Sequence, residues 1–195
     1  MQVKESIIEL TKIMHFQGAL STSDVQSITQ QVKSAKLQGV TNIQGGSPNT
    51  WRAINENILS ADSAITLANN IYECANIYFE SLDTKIDLNK YDIRSWFNVN
   101  SKDGYNLFHT HAGSLLSGVV YFQGTDTGAI KFNTLGNIYK MTHPDWPFSN
   151  GQSIEPEDGD IILFPSYLGH SVNHNPSNRN RINLAFNIMD KYNDN

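Results

Sequence analysis

His109-Thr110-His111 is the first pattern in this chain whose residue types and spacing could do chemistry. On an extended backbone, residues i and i+2 project from the same face, so both imidazoles can reach one point. A third imidazole, His170, follows Gly159-Asp160-Ile161-Ile162-Leu163-Phe164-Pro165-Ser166-Tyr167-Leu168-Gly169. That segment reads as a turn, a buried strand and a bend that turns a side chain inward. Imidazole suits first-row transition metals. Two ligands from one strand and a third from a distant one would occupy one face of an octahedron, leaving positions for a cosubstrate and dioxygen. The His-x-His pair alone is weak; joined to the distal segment it becomes specific. His174 competes as the third ligand, but Asn173-His174-Asn175-Pro176 reads as an exposed turn. His15 and His143 are read as surface histidines without a role.

Three side chains from separated stretches meet only if the fold joins those stretches. After residue 90 the chain breaks into short β-like runs at 95–99, 117–122, 129–132, 160–165, 170–172 and 181–189, several alternating apolar and polar residues. Gly104, Gly113, Gly124, Gly128 and Gly159 punctuate them, a pattern of a sandwich or barrel. The stretch 133–158, with Pro144, Pro147 and Pro156, reads as a loop over one mouth, a usual place for substrate contacts.

Residues 1–90 read as helical, residues 91–195 as the β core, and 1–195 as a single domain. Ser21-Thr22-Ser23-Asp24 starts a helix that carries Val25, Ile28, Val32 and Leu37 and ends at Gly39. A loop, Gly45-Gly46-Ser47-Pro48-Asn49, follows. Ser60 or Asp62 caps a second helix whose apolar face is Ile65, Leu67, Ala68, Ile71, Tyr72, Ala75, Tyr78, Phe79 and Leu82. That face could pack on the barrel or on another subunit, so a homodimer is one expectation.

Composition narrows the classes. At 195 residues, with 39% hydrophobic and 17% charged, the chain is globular in character. A net charge of −5 with scattered basic residues argues against nucleic-acid binding. The single Cys74 excludes a disulfide framework within the chain and a cysteine zinc ribbon, and it fits a reducing compartment. It falls on the helical stripe and reads as a small core residue. No basic-then-apolar leader and no membrane-length apolar run occur, so a cytoplasmic location is expected.

Ser95-Trp96-Phe97-Asn98, Asn106-Leu107-Phe108-His109-Thr110-His111, Ser117-Gly118-Val119-Val120-Tyr121, and His170-Ser171-Val172 through Arg181-Ile182-Asn183-Leu184-Ala185-Phe186-Asn187 carry a family resemblance. Over about residues 90–190 the chain resembles the iron- and 2-oxoglutarate-dependent oxygenases common in phage and marine bacterial genomes and, more distantly, prolyl hydroxylases. The resemblance implies an α+β, mainly β fold: a double-stranded β-helix of jelly-roll, cupin-like type with the N-terminal helices packed on it. It implies Fe(II) and 2-oxoglutarate as cofactors, hydroxylation of an unidentified small-molecule or peptide substrate with succinate and CO2 as coproducts, and a phage-infected bacterial cell as one setting.

Position by position, the resemblance makes His109 the first iron ligand and His170 the distal one. It puts His111 where the wider superfamily has a carboxylate. Arg181 matches the arginine that pairs with the far carboxylate of 2-oxoglutarate, a task suited to a guanidinium fork; Arg179 is the alternative, and a surface arginine on an edge strand the plain structural reading. Tyr121 matches a strand tyrosine whose hydroxyl can bond the same carboxylate. Asn98 and Asn106 are weaker candidates for polar contacts in the pocket, and either could cap a turn. Val119, Ile161, Leu163, Leu184 and Phe186 read as lining or core. Trp96 and Trp146 could touch substrate, with a core role favoured for Trp96.

Three histidines without a carboxylate leave a bound Fe(II) its full double charge, unlike the 2-His-1-carboxylate triad. Asp103 or Asp126 could supply a carboxylate by loop folding, though neither has the spacing. Two other readings follow. One is a three-histidine cupin-type metalloenzyme without 2-oxoglutarate, in which Arg181 is incidental. The other is a noncatalytic jelly-roll binding module. Structural zinc fits poorly, since it is normally four-coordinate and only three ligands are evident.

Overall fold

Two serines start the two helices. Ser21 caps α1 (Thr22–Ser34) by accepting from the Asp24 amide, and Ser60 caps α2 (Ala61–Glu80) by accepting from Ser63. Each bond satisfies an amide that has no partner within its helix. Asp24 and Asp62 in the first turns complement the helix dipoles. A computed structural model describes residues 11–35, 43–44, 58–133 and 152–191. Leu37, Gly39, the loop 45–49, His143, Pro144, Trp146 and Pro147 lie outside the described residues.

The strands are β1 (Met14–Phe16), β2 (Ile43–Gln44), β3 (Tyr91–Asn100), β4 (Tyr105–His109), β5 (Leu116–Gln123), β6 (Ile130–Phe132), β7 (Gln152–Ile154), β8 (Ile161–Pro165), β9 (His170–Val172) and β10 (Arg181–Asp190). Among the described residues they form two five-stranded antiparallel sheets, ordered β1-β8-β5-β10-β3 and β2-β4-β9-β6-β7. Apart from β6 and β7, which pair with each other, consecutive strands fall in opposite sheets, giving the jelly-roll wrap. The fold is mainly β with two helices, as the sequence implied. Strands β1 and β2 lie before residue 90 yet join the sheets. Strand β4 does not stand out in the sequence, and β7 falls inside the stretch expected to be loop.

Alternation on β10 sorts the chain into two layers. Ile182, Leu184, Phe186 and Ile188 share one core with Val25, Ile28 and Val32 of α1 and with Leu67, Ile71, Cys74, Ala75, Tyr78 and Phe79 of α2. Each such large apolar side chain, fully buried, stabilises by about 1.5–3 kcal/mol. Burial pushes the Cys74 thiol up to about 11, with Glu73 adding to the shift, so it is an inert core residue. Ile65, expected on the buried face, is instead 60% exposed. The opposite face of the first sheet meets the second sheet, and a smaller core of Val119, Tyr121, Ile130, Phe132, Ile162 and Phe164 lies between them. Of the five residues left open as lining or core, Val119 faces this interior; Ile161, Leu163, Leu184 and Phe186 lie under the helices.

Gly118 sits on β5 between β8 and β10 in the first sheet, opposite Leu163 on one side and Phe186 on the other. A Cβ there would lie 2.4 Å from Phe186 Cζ, 2.7 Å from Leu163 Cδ2 and 2.8 Å from the Ile162 carbonyl oxygen. Gly118→Ala is therefore expected to destabilise the fold by about 2–3 kcal/mol, since the backbone oxygen cannot yield as a side chain can. Urea denaturation checks this; an unchanged midpoint would refute the packing described.

Candidate active site

The three clustered histidines come from two neighbouring strands and one turn. His109 closes β4 opposite His170, which opens β9. The β4–β9 register shifts between Asn106 and His109, so both residues face the interior despite their odd spacing. The expectation that His111 shares a strand with His109 is corrected. β4 ends at His109, and His111 sits in the turn beyond it, its amide donating to the Ser166 carbonyl at 2.9 Å.

The three rings converge. Their ligating nitrogens lie within 4.8 Å of one another. Nε2 of His111 and Nε2 of His170 are 3.3 Å apart. Two ligands about 2.1 Å from one cation and set at right angles are separated by nearly that distance. Nδ1 of His109 donates to the Leu107 carbonyl at 2.7 Å, and Nδ1 of His170 to the Leu168 carbonyl at 3.0 Å. A carbonyl can only accept, so each Nδ1 carries the hydrogen and each Nε2 keeps its lone pair inward. Burial also favours the neutral rings. His170 is pushed down to about 3 and His111 to about 4, in both cases by desolvation first and then by the neighbouring imidazoles, and His109 shifts the same way. At neutral pH protons do not compete for these nitrogens.

Around the triad, Trp96 tilts against His111 with ring centroids 5.7 Å apart, and Phe164 lies 4.6 Å from His170. Trp96 is half-buried and lines the cavity, which corrects its expected core role. Asn98, Asn106 and Tyr121 also line it, from strands β3, β4 and β5; neither asparagine caps a turn. Asn98 Nδ2 donates to Asn183 Oδ1 at 2.9 Å. Burial raises the Tyr121 phenol well above its ordinary value, with Arg181 opposing the shift, so the hydroxyl stays protonated.

Arg181 shares the inner face of β10 with Asn183 and Ala185, which line the cavity. The edge-strand reading is corrected: β10 runs between β5 and β3, and Arg181 is 0% exposed. Its Nη1 donates to the carbonyls of Thr127 at 2.8 Å and Asn173 at 3.1 Å, while Nε and Nη2 meet no acceptor. A buried guanidinium with two unpaired nitrogens is costly and is suited to an anion. Arg179 is exposed and pairs with Asp158, which also accepts from the Gly124 and Thr125 amides, so it clasps two loops away from the cavity.

Other sequence candidates fall elsewhere. His174 is exposed and stacks on Tyr105, 4.3 Å between centroids. Its neighbour Asn175, expected in an exposed turn, is 0% exposed and donates to the Asn100 and Arg179 carbonyls. His15 has a structural partner after all: its Nε2 lies 2.6 Å from Asp160 Oδ2, pinning β1 to β8. Asp103 and Asp126 occupy left-handed turn positions, φ 64° and 60°. No carboxylate joins the histidine cluster among the described residues. Sequence reasoning passed over Asn183 and Ala185, although the alternation Arg181-x-Asn183-x-Ala185 places them beside Arg181 on one face.

Fold and inward-facing histidines define the class, a double-stranded β-helix equipped for a non-haem metal. Residues 94–187, the segment that carries all three histidines, match the family model described as "Putative 2OG-Fe(II) oxygenase". Among curated proteins none matches the sequence. The fold is shared with a Pseudomonas putida prolyl-4-hydroxylase at 15% identity, covering 92% of each chain, with a TM-score of 0.66. A Trichoplax adhaerens prolyl hydroxylase in complex with a hypoxia inducible factor peptide fragment aligns at 14% identity over 92% of this chain and 84% of that one, TM-score 0.64. HygX from Streptomyces hygroscopicus, with nickel and 2-oxoglutarate bound, aligns at 13% identity over 93% and 84%, TM-score 0.60. Among the described residues no helix is long and apolar enough to cross a membrane.

Proposed function

We propose that this protein holds Fe(II) through His109, His111 and His170, binds 2-oxoglutarate with its far carboxylate on Arg181, and hydroxylates a C–H bond of a substrate that enters beside Trp96. The observation that carries the cosubstrate is the buried Arg181 fork with Nε and Nη2 unpaired, on the same face as the cavity lining. In a three-histidine enzyme without 2-oxoglutarate the same fork would have to receive an anionic group of the prime substrate itself.

The iron and cosubstrate would supply the oxidative chemistry, releasing succinate and CO2 as one oxygen atom enters the substrate. The protein's own part is to bind and orient. Carbonyls of Leu107 and Leu168 hold two imidazoles with Nε2 inward. The Tyr121 hydroxyl stays protonated and can donate to the carboxylate that Arg181 receives. Phe164, Phe132 and Val119 exclude water from the inner side of the triad. The cavity, partly open to solvent, has about 30 Å3 of free space, room for about two waters, so a five-carbon diacid would enter with movement of the side chains along it.

Protein purified without oxygen, loaded with Fe(II) and given labelled 2-oxoglutarate and then air, is expected to release labelled succinate even without the prime substrate, at the slow rate of uncoupled turnover. Tight iron binding with no 2-oxoglutarate affinity would move the assignment to the cupin-type alternative. Absence of metal binding would reduce the protein to a binding module.

A further inference from the structure

Ser166 joins the two segments that carry His111 and His170. Its carbonyl accepts from the His111 amide at 2.9 Å, and its side-chain hydroxyl donates to the Ser114 carbonyl. Between those points the chain turns tightly: the Ser114 amide reaches the His111 carbonyl at 3.3 Å, and Gly113 has φ +84°. Backbone and side chain of one residue thus grip both ends of the turn that presents His111. Ser166 also opens the bend leading to β9, where the Leu168 amide donates to the Pro165 carbonyl at 2.9 Å and the Leu168 carbonyl fixes the His170 ring. Ser166 is 6% exposed, so water does not readily replace its bonds.

We infer that Ser166 is a positioning residue for the metal centre, its hydroxyl setting His111 Nε2 at ligating distance from His170 Nε2. His111 needs such a device more than its partners do. His109 and His170 are fixed by strand pairing and by their own Nδ1 bonds, whereas His111 stands off the end of β4. The inference rests on the three-histidine metal site proposed above. Groups that orient metal ligands typically change metal affinity 10–100-fold when removed.

The test titrates Co(II) into the wild type, Ser166→Ala, Ser166→Thr and Ser114→Ala, following the visible ligand-field bands, with the melting temperature of each metal-free protein measured alongside. Ser166→Ala should bind Co(II) about 10–100-fold more weakly, with altered bands at saturation and a melting temperature close to wild type. Ser166→Thr restores the hydroxyl and should recover most of the affinity. Ser114→Ala should bind as wild type, because Ser114 contributes its carbonyl and its own hydroxyl finds no partner. Wild-type affinity and bands in Ser166→Ala overturn this inference alone, as does weakened binding that Thr fails to restore. Failure of the wild type to bind Co(II) overturns both it and the proposed site.

Discussion

Arg181→Met is expected to weaken 2-oxoglutarate binding at least ~100-fold, about 2.7 kcal/mol, while leaving iron affinity unchanged. The guanidinium is 0% exposed, and its Nε and Nη2 have no acceptor in the protein. A carboxylate arriving there gains charge-assisted bonds in a dry setting, and truncating one partner of such a buried pair costs about 2–5 kcal/mol. Ligand-free stability should respond differently. Burial already disfavours the charge on Arg181, and an underpaired buried cation is commonly replaced by an apolar residue at little cost. Against that, the carbonyls of Thr127 and Asn173 lose a donor. The ligand-free melting temperature should therefore stay close to wild type. Added 2-oxoglutarate should raise it in the wild type by mass action and leave the variant flat. Arg181→Lys should fall between, since a point ammonium reproduces the charge without the fork. Calorimetric titration of the iron-free or zinc-loaded protein reads these affinities directly. Wild-type 2-oxoglutarate affinity in Arg181→Met would rule out the cosubstrate subsite.

Much of this site could be read from the chain because period-two alternation is a local property. On β10 the alternation sets Arg181, Asn183 and the small Ala185 against the large apolar Ile182, Leu184 and Phe186, and each set lies on its own face. The same reasoning failed at His111, where it assumed that the strand ran on. What stops β4 at His109 is a turn built with Gly113 and a carbonyl of Ser166, far away in sequence. Asn106 and His109 share the cavity only because of a register irregularity, which no alternation rule foresees. Choosing between Arg179 and Arg181 likewise needed the third dimension: Asp158 captures the first, and the sheet order buries the second. Trp96 was misjudged because a tryptophan on an alternating strand reads alike whether its neighbour is a core leucine or an imidazole. The helix starts at Ser21–Asp24 and at Ser60 or Asp62 were legible because capping is decided within three residues, and Ser21 and Ser60 are the caps.

His170→Gln is expected to abolish measurable iron binding, and with it all turnover. Gln keeps a polar side chain of similar bulk, so the effect can be separated from collapse of the surrounding packing. That separation matters because His170 is 3% exposed and lies 4.6 Å from Phe164 and 6.0 Å from Phe132 between ring centroids. Alanine there would open a cavity and confuse ligation with stability. The loss should be near total, since two remaining imidazoles leave a first-row cation mostly hydrated. His111→Asp gives the informative contrast. The triad is neutral, with no carboxylate in the cluster among the described residues, so a bound dication keeps its full charge. An aspartate would lower that charge by one and add a hard oxygen donor, which iron(II) accepts readily in the 2-His-1-carboxylate arrangement. His111→Asp should therefore still bind Fe(II), and its preference should move from nickel and copper toward manganese and iron. Metal titrations of the two variants under argon, each with its ligand-free melting curve, decide the matter. Undiminished binding by His170→Gln would place the metal elsewhere. Equal loss in both variants would mean that the turn holding His111 does not let a shorter side chain reach the point where the imidazoles converge.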